Sequence, residues 1–150
     1  MKIIIPYRLK SSRFPNKYIQ KFIGKSLIEH SIKLGQGLGD VILTSPKEDY
    51  IDEISNLHTK YNFEFIPTSI NCKSGTDRAI ELSKKIHDDY YVIIPVDEPM
   101  IRKEEFQRVL SSKLDDFNMC YTDFYNEEDC HSKLSAKIIF TKDNYLLYMS

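Results

Sequence analysis

The sequence predicts an α/β fold in three layers, with a mainly parallel sheet covered by helices on both faces. Three observations predict it. Short apolar runs rich in Ile and Val recur at 3–5, 41–44, 63–66 and 90–94. Segments with apolar residues at helical spacing separate them. Strands alternating with helices at this spacing argue a mainly parallel sheet covered on both faces. With 150 residues the chain can bury one real core, so 1–150 is expected to form a single domain.

Taken in order, Ile3-Ile4-Ile5 is the first strand, and Pro6 ends it in a loop carrying Arg8, Lys10, Arg13 and Lys17 with hydroxyls at Ser11 and Ser12. Ser26 caps a helix whose apolar face holds Leu27, Ile28, Ile32 and Leu34, and Gly35, Gly37 and Gly39 end it. Gly35-Gln36-Gly37-Leu38-Gly39 has the look of a dinucleotide turn. It follows a helix and precedes a strand, the reverse of the order such a turn needs, and is set aside. A strand at 41–44 follows. Ser45-Pro46 then begins a second helix with Ile51, Ile54 and Leu57 on its inner stripe.

The third strand spans 63–66. Ser74 or Thr76 caps a third helix running to about Ile86, and the strongest strand occupies 90–94. A fourth helix is expected over 103–110 and a fifth strand over 118–121. The acidic stretch 126–129 is expected as loop, and a β-hairpin over 136–140 and 145–148.

Composition excludes several classes. The net charge of −1 offers no bulk attraction to nucleic acid or anionic lipid, so anion binding must be local. No stretch approaches the ~20 apolar residues of a membrane helix, and the N-terminus lacks a signal peptide's apolar region. Three cysteines without a Cys-x-x-Cys pair fit reduced thiols in the cytoplasm. Cys130-His131 is adjacent rather than ligand-spaced, which argues against zinc.

In a parallel sheet, ligands bind beyond the carboxyl ends of the strands. Three loops should share that rim. The first is the basic loop, whose charge-assisted donors suit a polyphosphate. The second is Ser74-Gly75-Thr76-Asp77-Arg78, where Gly75 allows close approach and a helix start offers free amides. The third is Asp97-Glu98-Pro99, a strand-end carboxylate suited to Mg²⁺, which binds through one or two carboxylates plus substrate phosphates. Each alone is equally an ordinary surface loop, helix cap or turn. Together they describe a site for a nucleoside triphosphate with its metal.

The blocks from Pro6 to Lys17, Ser74 to Arg78, Asp97 to Ile101, Lys137 to Ile139 and Tyr145 to Ser150 resemble the 3-deoxy-manno-octulosonate (KDO) cytidylyltransferases, the CMP-KDO synthetases, in the same order. The resemblance implies a nucleotide-diphospho-sugar-transferase-like, Rossmann-like sheet. It implies the reaction CTP + KDO → CMP-KDO + pyrophosphate, serving lipopolysaccharide or surface-glycan synthesis. It places Arg8, Ser11, Arg13 and Lys17 around the triphosphate, and Ser74, Gly75, Thr76 and Arg78 by the cytidine. Asp97 would hold Mg²⁺, with Lys17, Arg13 and Asp97 as the catalytic set. CTP and a keto-sugar acid are the implied partners, with no nucleic acid and no membrane, and a homodimer is compatible with the family.

The chain departs from the family at Pro95 and Val96, where Gln-Gly is usual, and at Ser69 and Cys72, where an Arg and a His are usual. Asn16 replaces a Gly, which Asn's tolerance of left-handed backbone permits. Family members run well beyond position 150, so the domain reads as truncated at its C-terminus. Two alternatives stay open: a cytidylyltransferase for another sugar acid, and a non-catalytic nucleotide-binding remnant of the fold.

Overall fold

The computed structural model describes residues 1–10, 14–112, 118–119, 123–124, 126–133 and 135–149. The chain parts into two compact units, residues 1–113 and 114–150.

In the first unit, β1 (Lys2–Pro6) leads through the basic loop and a 3₁₀ turn (Lys17–Ile19) into a small hairpin, β2 (Lys21–Phe22) with β3 (Lys25–Ser26). Then come α1 (Leu27–Gln36), β4 (Asp40–Thr44), a 3₁₀ turn (Lys47–Asp49), α2 (Asp52–Ser55), a further 3₁₀ turn (Asn56–Thr59) and β5 (Glu64–Phe65). The unit ends with α3 (Gly75–Ser83), β6 (Tyr91–Ile93) and α4 (Lys103–Leu110). The central sheet is parallel throughout, in the order β5-β4-β1-β6.

The Ile run explains the layering. Ile3, Ile4 and Ile5 are fully buried, yet successive side chains point to opposite faces. Ile3 and Ile5 join Ile28 and Ile32 of α1, with Val41 and Leu43 of β4. Ile4 and Ile42 point the other way, onto Ala79 and Leu82 of α3. Each such side chain contributes roughly 1.5–3 kcal/mol on burial. A strand covered on both faces has no room for a polar alternate, hence the unbroken apolar run.

Several expectations held and others did not. Ser26 caps α1 through a reciprocal box with Glu29, and Ser74 rather than Thr76 caps α3. Gly35 lies inside α1, buried against β1 and β4, and Gly37 is the cap residue. The expected second helix is broken into two 3₁₀ turns around the four-residue α2. The β2–β3 hairpin has no counterpart in the expectation. Its tight turn places Ile23 and Gly24 at φ 47 and 77, values that suit Gly and strain a β-branched residue.

The second unit contains α5 (Glu127–His131) and a hairpin of β7 (Ile138–Phe140) with β8 (Leu146–Met149). The hairpin was expected. The helix replaces the expected acidic loop, because Asn126 accepts a bond from the Asp129 amide and acidic residues favour a helix start. The expected fifth strand lies partly outside the described residues. Among the described residues no helix is long and apolar enough to cross a membrane.

Candidate functional site

The strand order locates the site. From β1 the chain moves to β4 and β5 on one side, then returns to β6 on the other. The loops after β1 and β6 therefore diverge at a topological switch point, where a crevice opens at the carboxyl end of the sheet. A cavity of about 280 Å³ lies there. Pro6, Tyr7 and Arg8 line it from β1, Lys17 and Tyr18 from the basic loop, Cys72 to Gly75 and Arg78 from the approach to α3, and Asp97 from beyond β6.

The basic loop is fastened at both ends. The Tyr7 amide extends the ladder to Thr44 O (3.0 Å), and the Tyr7 hydroxyl donates to Asp49 O (3.2 Å). The Leu9 amide donates to Asp49 Oδ2 (3.0 Å), and the Asn16 amide returns to Leu9 O (3.1 Å). Burial pushes the Tyr7 phenol's pKa up, so it stays a neutral donor. Asn16 takes φ 56, a left-handed conformation that Asn tolerates. Leu9 and Asn16 are thereby held together, and Lys17 follows at the cleft. Ser11 and Arg13 lie outside the described residues.

On the far side, the Ile94 amide prolongs β6 by bonding Ile4 O (3.0 Å), and Ile94 and Val96 are buried. The Pro95-Val96 departure is therefore absorbed in part by packing, with Val96 in the core beside Tyr7 and Leu9. Asp97 emerges immediately afterwards and meets Lys17, with Nζ 2.8 Å from Oδ2. Lys17 Nζ also stands 4.8 Å from the centre of the Tyr18 ring. Partial burial disfavours the Lys17 charge, but the hydrogen bond to Asp97 and the neighbouring negative charge outweigh it and raise its pKa. Partial burial likewise opposes the Asp97 charge, and the bonds from Lys17 and the backbone hold it below the ordinary range. Both groups are charged at neutral pH.

The third wall is the start of α3. Ser74 Oγ accepts from the Asp77 amide (3.0 Å), while Asp77 Oδ2 accepts from the Lys73 and Ser74 amides (2.9 and 3.1 Å). The amides of Gly75 and Thr76 belong to the first helical turn, which has no intrahelical acceptors. Gly75 makes a close approach: a Cβ there would sit 3.1 Å from Pro6 Cγ, a tight contact. The helix start thereby comes up against the end of β1.

Arg78 lines the cleft yet is only 3 % exposed. Its Nη1 donates to Thr68 Oγ1 (3.0 Å) and Ser69 O (2.9 Å), and Thr68 Oγ1 also accepts from Thr44 (3.1 Å). Arg78 thus braces the wall as well as facing the cavity.

Of the residues expected at the site, the structure brings Arg8, Lys17, Ser74, Gly75, Arg78 and Asp97 around one cavity. Thr76 is exposed in the adjoining turn. Sequence reasoning missed Tyr7, Tyr18 and Lys73 as wall residues, and Asp49 as the loop's clamp. Tyr7 and Tyr18 each adjoin a residue already singled out. Asp49 bears no such signal, because it acts from forty residues away.

The electrostatics favour an anion, since Arg8, Lys17, Lys73 and Arg78 face the single carboxylate of Asp97. Among the described residues no cluster of three or more ligating side chains could hold a metal alone. One carboxylate in a cationic cleft fits Mg²⁺ only in the mode where ligand phosphates complete the coordination.

A family profile described as cytidylyltransferase matches residues 2–150. The chain is 30 % identical over 155 residues to the 3-deoxy-manno-octulosonate cytidylyltransferase of Elusimicrobium minutum, covering 99 % of this chain and 61 % of that protein. It is 32 % identical over 159 residues to the enzyme of the same name from Legionella pneumophila, with coverage of 99 % and 61 %. A solved structure of CMP:2-keto-3-deoxy-manno-octonic acid synthetase complexed with CTP superposes with a TM-score of 0.77 at 24 % identity, covering 99 % of this chain and 62 % of that one. The chain spans about three fifths of the length of the relatives it matches.

Proposed function

The chain belongs to the cytidylyltransferase family, and from that premise we propose that it holds the nucleotide-binding site of an enzyme joining CMP to a keto-sugar acid. The reaction is CTP + 3-deoxy-D-manno-octulosonate → CMP-KDO + pyrophosphate, by analogy with the named relatives. The observation that carries this reading is the convergence of Arg8, Lys17, the Gly75 turn and Asp97 on one cleft at the sheet's switch point.

In this reaction the anomeric hydroxyl oxygen forms a bond to the α-phosphorus and loses its proton to solvent. The bond from the α-phosphorus to the bridging oxygen breaks, and pyrophosphate leaves with the electron pair. Negative charge grows on the departing phosphates. Arg8, Lys17 and Arg13 are assigned to those oxygens, where fixed cations stabilise the charge as it develops. Ser74, Gly75, Thr76 and Arg78 are assigned to the cytidine end. The first-turn amides of α3 offer donors there, and Gly75 permits close approach. Positioning of the α-phosphorus supplies the rest of the acceleration. Asp97 with phosphate oxygens would hold Mg²⁺, which when bound neutralises charge on the triphosphate.

The site of action proposed is the cytoplasm, consistent with three cysteines lacking a Cys-x-x-Cys pair. The test is calorimetric titration of the chain with CTP, UTP, ATP and GTP in the presence of Mg²⁺. CTP should bind tightest, and Lys17→Ala and Asp97→Ala should each weaken it at least tenfold. Unaltered CTP binding in both variants would sink the assignment. A panel of sugar acids with pyrophosphate release as readout then identifies the acceptor.

A further inference from the structure

One wall of the cleft has no helix or strand of its own. Residues 67–74 run from β5 to α3 and contribute Cys72, Lys73 and Ser74 to the cavity. Such a segment keeps its shape only if something else satisfies its backbone. Here that something is one stripe of α3 and its continuation. Asp77 takes the Lys73 and Ser74 amides, and Arg78 takes Thr68 and the Ser69 carbonyl. One turn further along, Glu81 accepts from the Ser69 amide on both oxygens (3.2 and 3.0 Å) and from Cys72 Sγ (3.3 Å). A turn beyond that, Lys85 Nζ reaches Glu81 (2.9 Å) and Pro67 O (3.2 Å). Positions 77 and 81 are four residues apart and share one face of α3, and Lys85 follows just past the helix end.

Asp77 and Arg78 each hold adjacent residues of the wall, whereas Glu81 ties together two that lie three positions apart. Those two are Ser69 and Cys72, the two positions where this chain departs from the Arg and His of its family. We propose that Glu81 is the positioning residue of this wall, fixing Ser69 and Cys72 so that the cleft presents a set shape to the base and ribose of a bound nucleotide. The ligand class rests on the function proposed above. The arrangement of the wall does not. Glu81 lies behind the wall and does not line the cavity, so its effect passes through residues 69–74.

The charge state supports the geometry. The Lys85 ammonium and the Ser69 amide draw the Glu81 carboxyl down to about 2, so it is an anion throughout the physiological range. Burial, and then the Glu81 carboxylate beside it, push the Cys72 thiol up, which keeps Cys72 a neutral donor. Removing the Glu81 charge should therefore increase the thiolate fraction as well as loosen the wall.

The test uses Glu81→Gln in the intact chain, a nearly isosteric change that retains an acceptor for Ser69. Peptide-resolved alkylation by iodoacetamide without nucleotide reports Cys72 apart from Cys120 and Cys130. The Cys72 rate should rise at least threefold, and in parallel the Kd for CTP should rise about three- to tenfold. In turnover the loss should appear in KM, with kcat changed less than twofold, as expected when binding rather than chemistry is perturbed. An unchanged Cys72 rate overturns the proposal, whether or not CTP binds. Failure of CTP to bind the unmodified protein overturns the nucleotide assignment and leaves the thiol readout to decide the role of Glu81. Should the variant not fold, hydrogen exchange on the unmodified protein decides. Protection of the Ser69 amide comparable to that in α3 upholds the clamp, and exchange at the rate of a free loop overturns it.

Discussion

Replacing Lys17 with methionine should move two binding constants in opposite directions. Lys17 now lies 2.8 Å from Asp97, so a divalent cation approaching that carboxylate must displace an ammonium first. Methionine keeps the apolar stem and removes the charge. Lys17 is 24 % exposed and Asp97 53 % exposed, so the pair is screened, and its contribution is about 0.5–1 kcal/mol. Losing this competitor should tighten binary metal binding roughly two- to fivefold. The triphosphate, in contrast, loses a charge-assisted contact of about 1.5–3 kcal/mol, which weakens CTP binding about 10- to 150-fold. Mn²⁺ titration followed by electron paramagnetic resonance measures the first quantity, and calorimetry with CTP the second. The pair's pH window follows from the two shifts. Asp97, with its pKa lowered, loses the interaction only as pH falls below the ordinary carboxylate range. Lys17, with its pKa raised, loses it only as pH rises above the ordinary lysine range. The Lys17–Asp97 pair itself should therefore stay intact between about pH 5 and 9. Weaker Mn²⁺ binding in the variant would refute the exchange, and unchanged CTP affinity would refute the phosphate cradle.

Three further outcomes are expected. Gly75→Val would press a branched side chain onto Pro6, whose ring would already lie 3.1 Å from a Cβ. It should cost about 1–3 kcal/mol in denaturant unfolding and weaken CTP binding together. Ile23→Asn should relieve the φ 47 strain of an exposed turn residue, gaining about 1 kcal/mol and raising Tm by roughly 2–4 °C in calorimetry. The depressed pKa of Glu81 makes its contribution complete above the usual glutamate range and lost as pH falls towards about 2. Urea midpoints measured from pH 5 down to 2.5 should fall for the unmodified chain and fall less steeply for Glu81→Gln.

How far the sequence was legible varied with the range of the forces involved. Strands β1, β4 and β6 and helices α1, α3 and α4 could be read because burial on both faces, or on one stripe, leaves a local pattern. The β2–β3 hairpin escaped because each strand has two residues and its turn carries Ile23 where Asn would be the usual signal. The segment after β4 has a helix-like spacing of Ile51, Ile54 and Leu57. Packing onto the core buries Ile54 and Leu57 through separate short turns instead. Asn126 to Asp129 carried no apolar period, so its capped turn read as loop.

The sequence by itself determined the order of strands β1, β4, β5 and β6 and of helices α1, α3 and α4, the apolar core and the three loops that meet at the rim, because strand and helix periods and chain direction are local properties. It also supplied the charges of the site. Only the tertiary structure decided how those charges are used. Lys17 is paired with Asp97 across eighty positions, and Arg78, expected by the cytidine, commits Nη1 to the wall. Glu81 joins two wall residues, Ser69 and Cys72. Such assignments depend on distances of about 3 Å between residues that no local pattern relates, and a hydrogen bond vanishes with a displacement of one ångström.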